Sequence, residues 1–342
     1  MFLCKILFYV FILNIFSQNV FSSETCNNVK LENKNVYNES SIRLMQYNME
    51  WVFIDYYKNS DCPGNGCTWL NENDTQKHIS YLSNVINKIN PDIINICEIE
   101  GCNELSKLNN LSNNNYNYYL TKGSDEQTGQ NVGMLTKINP DINLYRTNMN
   151  KNYPIENSNC NYTGPAGTYG VSKNYITEFT INNVNIAMIS VHFLAKPTDS
   201  ERCAKREAQA LVMHDVIKEY IHNNYEVIFI GDLNDYDKDI LDINNNIPTS
   251  KVLDILKGAY TNDYIIYSVA EYIPQHDRFT NWWDSEDNCK NLKQNYAMID
   301  HILVTENLKN KIKDVFIYHG YKEYCGKWDS DHYPIVVDLD FT

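Results

Sequence analysis

Short apolar runs separated by polar segments dominate the chain. Ile42–Tyr47, Asp92–Cys97, Asn131–Thr136, Asn174–Ile181, Val184–Val191, Glu226–Ile230, Ala297–Val304 and Ile335–Leu339 are each five to eight residues long. That length, with branched and aromatic side chains between turn residues, predicts strands. Two segments have helical spacing instead. Gln76–Ile89 is one, and Pro91 separates it from the next strand. Ala204–His222 is the other, with Ala208, Leu211, Val212, Val216 and Ile217 near a helical period. Strands outnumber helices, and helices fall between some of them. This predicts one α/β domain with two packed sheets and helices outside. No repeat period stands out. The asparagine clusters at 113–115 and 244–246 read as loops.

The N-terminus departs from this pattern. Lys5 precedes an apolar run from Ile6 to Phe16, and small and polar residues lead to Ser22 and Ser23. This is the layout of a secretory signal peptide. The alternative is an uncleaved anchor, for which an eleven-residue run is short of the ~20 that span a bilayer. The expected division is a signal peptide over 1–22, an N-terminal segment over 23–40 and the domain over 41–342. The expected location is outside the cell or in the lumen of the secretory pathway. Ten cysteines suit an oxidising compartment, and cleavage would remove Cys4 and leave nine. Cys62 and Cys67 flank Pro63, Gly64 and Gly66, which suggests a small disulfide-closed loop. An odd number leaves one thiol over, and Cys97, inside a buried-looking strand, is the candidate. No second close pair supports zinc. Sequons at Asn38, Asn73, Asn110 and Asn161 fit a secreted glycoprotein.

The net charge of −14 works against generic attraction to phosphate backbones and leaves cation-assisted binding open. The polar residues are more informative. Asn48 and Glu50 follow the first strand, Glu98 the second, His192 the strand ending at Val191, and Asp232 and Asn234 the one ending at Ile230. Asp300 and His301 lie in the run over 297–304, and Asp331 and His332 precede Ile335. Strand ends are where sheets bring functional groups together from distant sequence.

These segments carry a resemblance. Gln46-Tyr47-Asn48-Met49-Glu50, Ile96-Cys97-Glu98, Ser190-Val191-His192, Gly231-Asp232-Leu233-Asn234-Asp235, Ile299-Asp300-His301 and Ser330-Asp331-His332-Tyr333-Pro334 resemble, in order, the endonuclease/exonuclease/phosphatase superfamily. The resemblance runs from about Ile42 to Leu339. It implies the DNase I-like fold, a four-layer α-β-β-α sandwich of two packed mixed β-sheets. It implies Glu98 as the principal metal ligand, with Asn48, Glu50 and Asp331 completing the shell. The implied cofactor is Mg²⁺, or Mn²⁺ in its place, with Ca²⁺ as a structural ion. Asp232 and Asn234 would place the attacking water and phosphoryl oxygens. His192 would contact phosphate or serve as general acid. His332 would be general base or stabilise pentacovalent phosphorus, oriented by Asp300. Arg278 and His301 are candidate substrate contacts.

Two departures bear on substrate. The nuclease that gives the fold its name has an Arg two residues after the metal-binding Glu, where this chain has Glu100, a repulsive group if it faced DNA. A Glu that supports the first catalytic histidine there corresponds loosely to Gln130. Ile230 before Gly231 and His301 after Asp300 argue against the inositol polyphosphate 5-phosphatase branch. Secreted sphingomyelinases share the acidity and the Ser-Asp-His-x-Pro ending, and Tyr264, Tyr267, Tyr272 or Trp282-Trp283 could meet a membrane. The expectation is a monomeric, secreted phosphodiesterase without an obligate protein partner. Nucleic acid is favoured over phospholipid as substrate, and a non-catalytic binding protein is the third alternative.

Overall fold

A computed structural model describes residues 25–27, 36–38, 40–54, 68–69, 71–113, 116–283, 292–320 and 328–342. The expected signal peptide and the Cys62–Cys67 loop lie outside these residues. The chain begins with β1 (Thr25–Asn27), β2 (Val36–Tyr37), β3 (Ser41–Val52), α1 (Glu72–Ile89), β4 (Ile93–Ile99) and α2 (Cys102–Leu111). It continues through β5 (Asn117–Thr121), β6 (Asn131–Thr136), β7 (Asn150–Tyr153), β8 (Gly167–Gly170), β9 (Lys173–Ile181), β10 (Val184–His192) and α3 (Ser200–His222). After β11 (Glu226–Asp232) and α4 (Val252–Leu256) come β12 (Ile266–Ser268), β13 (Asn281–Trp282), β14 (Tyr296–Ala297), β15 (Asp300–Thr305), α5 (Glu306–Lys309), β16 (Ile312–Ile317) and β17 (Ile335–Asp340).

One sheet has seven strands in the order β1-β5-β6-β4-β3-β17-β16, and the other has six, β12-β15-β11-β10-β9-β2. Both are mixed: β3 runs parallel to β4, and β10 to β11, among antiparallel neighbours. The segment before residue 41 supplies an edge strand to each sheet. The strands read as continuous apolar runs because both faces are covered. In β3, Ile42 and Leu44 enter the core between the sheets, while Met45, Tyr47 and Met49 join Ile79, Leu82 and Ile86 of α1 on the outer face. On the other sheet, Val191, Val227 and Phe229 meet Val212, Met213 and Ile217 of α3. The result is the expected α-β-β-α sandwich.

Local chemistry sets where the elements begin. α1 starts earlier than its apolar spacing indicates because Asn71 caps it, accepting a bond from the Asp74 N–H. Asp199 does the same for α3 through the Arg202 N–H. Disulfides Cys26–Cys102 and Cys160–Cys203 pin β1 to α2 and the 160 segment to α3. Cys97 is the free cysteine among the described residues and is buried, as expected.

β11 reaches the sheet end through Gly231. Its φ is +153°, and a Cβ there would lie 1.9 Å from the Val191 carbonyl oxygen on β10. Only glycine allows that approach. Gly231→Ala is therefore expected to destabilise the protein by about 3 kcal/mol, read as a fall in denaturation midpoint. An unchanged midpoint would contradict this account of the strand end.

Candidate active site

The functional side chains lie where the backbone leaves strand geometry. Glu50 and Trp51 in β3 have φ of 48° and 51°, and Glu98 in β4 has 65°. The β3–β4 ladder shifts register between Asn48 and Val52. Bulges of this kind re-aim side chains, and here Glu50, Trp51 and Glu98 line one cleft. His192 and Asp232 are register partners at the ends of parallel β10 and β11. Asp300 opens β15 opposite Asp232. Asp331 and His332 lie just before β17. The cleft has a volume of about 970 Å³ and is also lined by His192, Asp232, Asn234, Asp331 and His332. Asn48 and Asp300 stand behind it, bonded to residues that line it.

The best-defined pair is His332 and Asp300, with Nδ1 donating to Oδ2 at 2.7 Å. The other carboxylate oxygen accepts from Gln46 Nε2 at 3.0 Å. Gln46 Oε1 accepts from Asn95 Nδ2 at 2.5 Å, and Asn95 Oδ1 accepts from the Tyr175 hydroxyl at 2.6 Å. Every donor in this chain points toward Asp300. It draws on β3, β4, β9 and β15, so it crosses from one sheet to the other. All its members are fully buried, where an unmade hydrogen bond is costly, and each therefore fixes the next. Ser330 Oγ adds a clamp, donating to the Asn48 carbonyl at 2.8 Å and accepting from the His332 N–H at 3.0 Å.

Carboxylates crowd the rest of the site. Asn48 Nδ2 donates to Glu98 Oε1 at 3.2 Å and to Asp232 Oδ2 at 3.0 Å. Glu50 Oε2 accepts from the Asp331 N–H at 2.9 Å. Burial, with the charge of Asp300, pushes the Asp232 carboxyl up to about 7. Burial, aided by Glu98 and opposed by His332, pushes Asp331 up to about 6. Burial and Asp331 raise Glu50 well above the usual range. Burial opposes charge on His332, but Asp300, Asp331 and Asp232 together hold its pKa well above normal.

These directions describe a site short of positive charge. Its donors are carboxylate and amide oxygens, the set preferred by Mg²⁺, Mn²⁺ or Ca²⁺. The Asn48 amide nitrogen already lies between two carboxylate oxygens as their shared positive partner. The residues fit a hard divalent cation held by Glu98 with Asn48, Glu50 and Asp331. Asp232, Asp300 and His332 also present ligand atoms within 4.8 Å of one another. Asp300 and His332 already satisfy each other in this trio.

His192 differs from the expectation of a carboxamide-supported histidine. Gln130 Oε1 accepts from Lys173 Nζ at 3.3 Å, and Lys173 stands directly across from His192 in the β9–β10 ladder. His192 Nδ1 is buried without a partner. Burial, then Lys173 and His332, depress its pKa well below normal. The neutral ring with its hydrogen on Nε2 avoids an orphaned buried donor. Nε2 faces Asp232 Oδ2 at 3.6 Å and Glu98 Oε1 at 3.8 Å. Lys173 escaped notice in the sequence because it immediately precedes the strand expected at Asn174.

Two expected substrate contacts are corrected. Arg278 donates to the carbonyls of Ala270, Ile273 and Leu241 and does not line the cleft, so it braces loops. His301 is 1% exposed, and its Nε2 pairs with the Asp235 carbonyl at 2.9 Å, which makes it a core residue. Glu100 is also turned inward: its Oε2 accepts from the Ile54 N–H at 2.8 Å, so it is no repulsive group in the cleft. Among the aromatic candidates, Tyr264 and Trp282 are core, whereas Trp283 is 66% exposed and lines the cleft.

The model described as the Endonuclease/Exonuclease/phosphatase family matches residues 45–332. The structure of truncated Caenorhabditis elegans TDP2 is similar, with a TM-score of 0.52 at 17% identity over 88% of this chain and 97% of that one. A mannosyl-6-phosphatase from Bacteroides thetaiotaomicron gives 0.52 at 14% identity over 88% and 100%. A protein of the same family from Leptotrichia buccalis gives 0.52 at 15% over 88% and 100%. At such identities the likeness establishes the fold. No curated protein matches the chain significantly.

The charge imbalance has a measurable consequence. A raised histidine pKa contributes stability that is complete below the unfolded value of ~6.5 and is lost as pH rises through the folded value. A raised carboxyl pKa acts in the same direction: the folded state holds its proton longer, so stability falls as pH rises from ~4 through the folded values. Depressed histidines such as His192 act the opposite way up to ~6.5, so the clean window lies above it: in chelator, the melting temperature should fall from about pH 6.5 to about pH 8. Added Mg²⁺ or Mn²⁺ should restore more stability at the higher pH. A metal-independent melting temperature at both pH values would count against the assignment.

Proposed function

The chain belongs to the endonuclease/exonuclease/phosphatase family, and on that premise we propose that it is a divalent-metal-dependent phosphodiesterase acting on single-stranded nucleic acid. Members of the family are phosphoester hydrolases. Convergence carries the proposal: the Asp300–His332 pair, Asp232 at 3.9 Å from His332 Nε2, and Glu98 beside His192 all meet at one cleft.

When bound at Glu98, Asn48, Glu50 and Asp331, a divalent cation would withdraw charge from the phosphoryl oxygens. The remaining work falls to the chain. The Asn234 N–H holds Asp232 Oδ1 at 2.9 Å and so fixes the carboxylate that takes a proton from the attacking water. Burial and the charge of Asp300 raise its pKa, which strengthens it as a base. His332, cationic and tied through Nδ1 to Asp300, presents Nε2–H to a phosphoryl oxygen and stabilises the pentacovalent phosphorus. His192 offers a second, neutral donor.

The cleft wall favours single strands over duplexes. Trp51, Tyr236, Trp283 and Tyr296 are among its lining residues, and aromatic side chains of this kind can stack on bases. Lys196 is the one Lys or Arg of the lining among the described residues, too little to track a duplex backbone. Lipid phosphodiesterase activity is the second reading, favoured by Trp283 at the cleft and by Ile247, 64% exposed, next to lining residue Asn246. We further propose that the protein is secreted and monomeric. The signal-peptide pattern and the two disulfides support the first of these.

Single-stranded DNA, RNA, plasmid DNA and sphingomyelin vesicles, each with Mg²⁺ or Mn²⁺ and then with EDTA, form the decisive panel. EDTA-sensitive cleavage of the single strands is expected, and release of phosphocholine alone would favour the second reading. His332→Ala should lower turnover by at least ~10²-fold while the protein still folds. A folded variant with undiminished turnover would remove the assigned role.

A further inference from the structure

We propose that Lys196 forms a subsite for a second phosphate of the substrate, next to the one that is cleaved; this rests on the phosphodiesterase proposal above. The loop that carries it is built with unusual care for an exposed connection. Arg206, on the first turns of α3, is fully buried. Its guanidinium donates to the carbonyls of Leu194 at 3.1 Å, Lys196 at 3.0 Å and Pro197 at 2.8 Å. Its Nε donates to Asp235 Oδ2 at 2.9 Å, one residue beyond Asn234. The Leu194 N–H adds a bond to Gln209 Oε1 at 3.0 Å. One buried arginine thus ties the loop after His192 to the loop after Asp232, with the loop carbonyls turned inward.

Lys196 itself has φ of 69°, the left-handed region that a residue with a Cβ adopts at a cost of roughly 1 kcal/mol or more. Glycine would relieve that cost, yet the position holds a lysine. Its exposed side chain lines the cleft with Tyr236, Trp283 and Tyr296. It is in no ion pair among the described residues; the charge it acts on is that of Asp199, an exposed carboxylate on the same cleft wall. The cleaved phosphate already has His192, His332 and the cation-binding carboxylates around it. An exposed ammonium in no ion pair, on a wall shared with aromatic side chains, fits the repeating anion of a nucleotide chain. A substrate with one phosphate would leave it without a partner.

Binding in chelator isolates the subsite from turnover. The probes are a dinucleoside phosphate without terminal phosphates and the same molecule phosphorylated at both ends. The wild-type protein should bind the phosphorylated probe about 10-fold more tightly, a preference that shrinks as salt rises. Lys196→Met should remove most of the preference and Lys196→Arg should keep it. Lys196→Gly, which suits the backbone, should lose it as well, because the charge and not the loop shape is responsible. Equal binding of the two probes by the wild type, or full preference in Lys196→Met, would overturn the proposal. Repeating the comparison with Mg²⁺ separates the two claims. Hydrolysis without preference removes the subsite alone. Preference without any hydrolysis supports the subsite and removes the phosphodiesterase activity.

Discussion

Excess negative charge at the meeting point of two sheets is the constraint on which the rest of the site depends. Glu50, Glu98, Asp232, Asp300 and Asp331 converge with His332 as their main protonated partner. Carboxylates held this close, out of water, raise one another's affinity for protons and for cations. The arrangement is unfavourable by itself and becomes productive with a hard cation and a phosphate present. The folded scaffold has to resist the repulsion, and the hydrogen bonds around the site show how. Asn48 bridges two carboxylates, the Asp331 N–H holds Glu50, and the Asn234 N–H holds Asp232.

The same constraint explains the polar line through the inter-sheet core. Tyr175, Asn95 and Gln46 occupy positions that could have been apolar, and each hands a donor toward Asp300. The line fixes which oxygen of Asp300 meets His332, and it links both sheets to that choice. The bulges at Glu50 and Glu98 and the glycine at 231 serve the same end, since regular strands would send these side chains elsewhere.

Much of this was legible in the sequence, and the limits have physical reasons. Strands buried on both faces announce themselves as unbroken apolar runs, so the expected β4, β6, β9, β10, β11 and β17 lie close to their true ends, whereas β3 continues to Val52 through the polar Asn48 and Glu50. α2 was missed because only Leu105 and Leu108 mark its apolar side, and β16 because it is an edge strand with exposed Lys313 and Asp314. The residues of the site were recognisable as a set because each lies at or near the end of an apolar run. Their partners were not: Gln46, Asn95, Tyr175, Lys173 and Arg206 act across elements that only folding brings together. The errors have the same origin. Arg278 and His301 look like substrate contacts by type, but Nε and Nη1 of the arginine and Nε2 of the histidine are taken by main-chain carbonyls that no local pattern reveals.

The central claim is that this acidic cluster is a cation site centred on Glu98. Anomalous diffraction at the manganese edge from crystals soaked in Mn²⁺ tests it directly. The account predicts a peak about 2 Å from a Glu98 carboxylate oxygen, with Asn48, Glu50 or Asp331 nearby. Crystals with full Mn²⁺ exposure and no peak at Glu98 would contradict it.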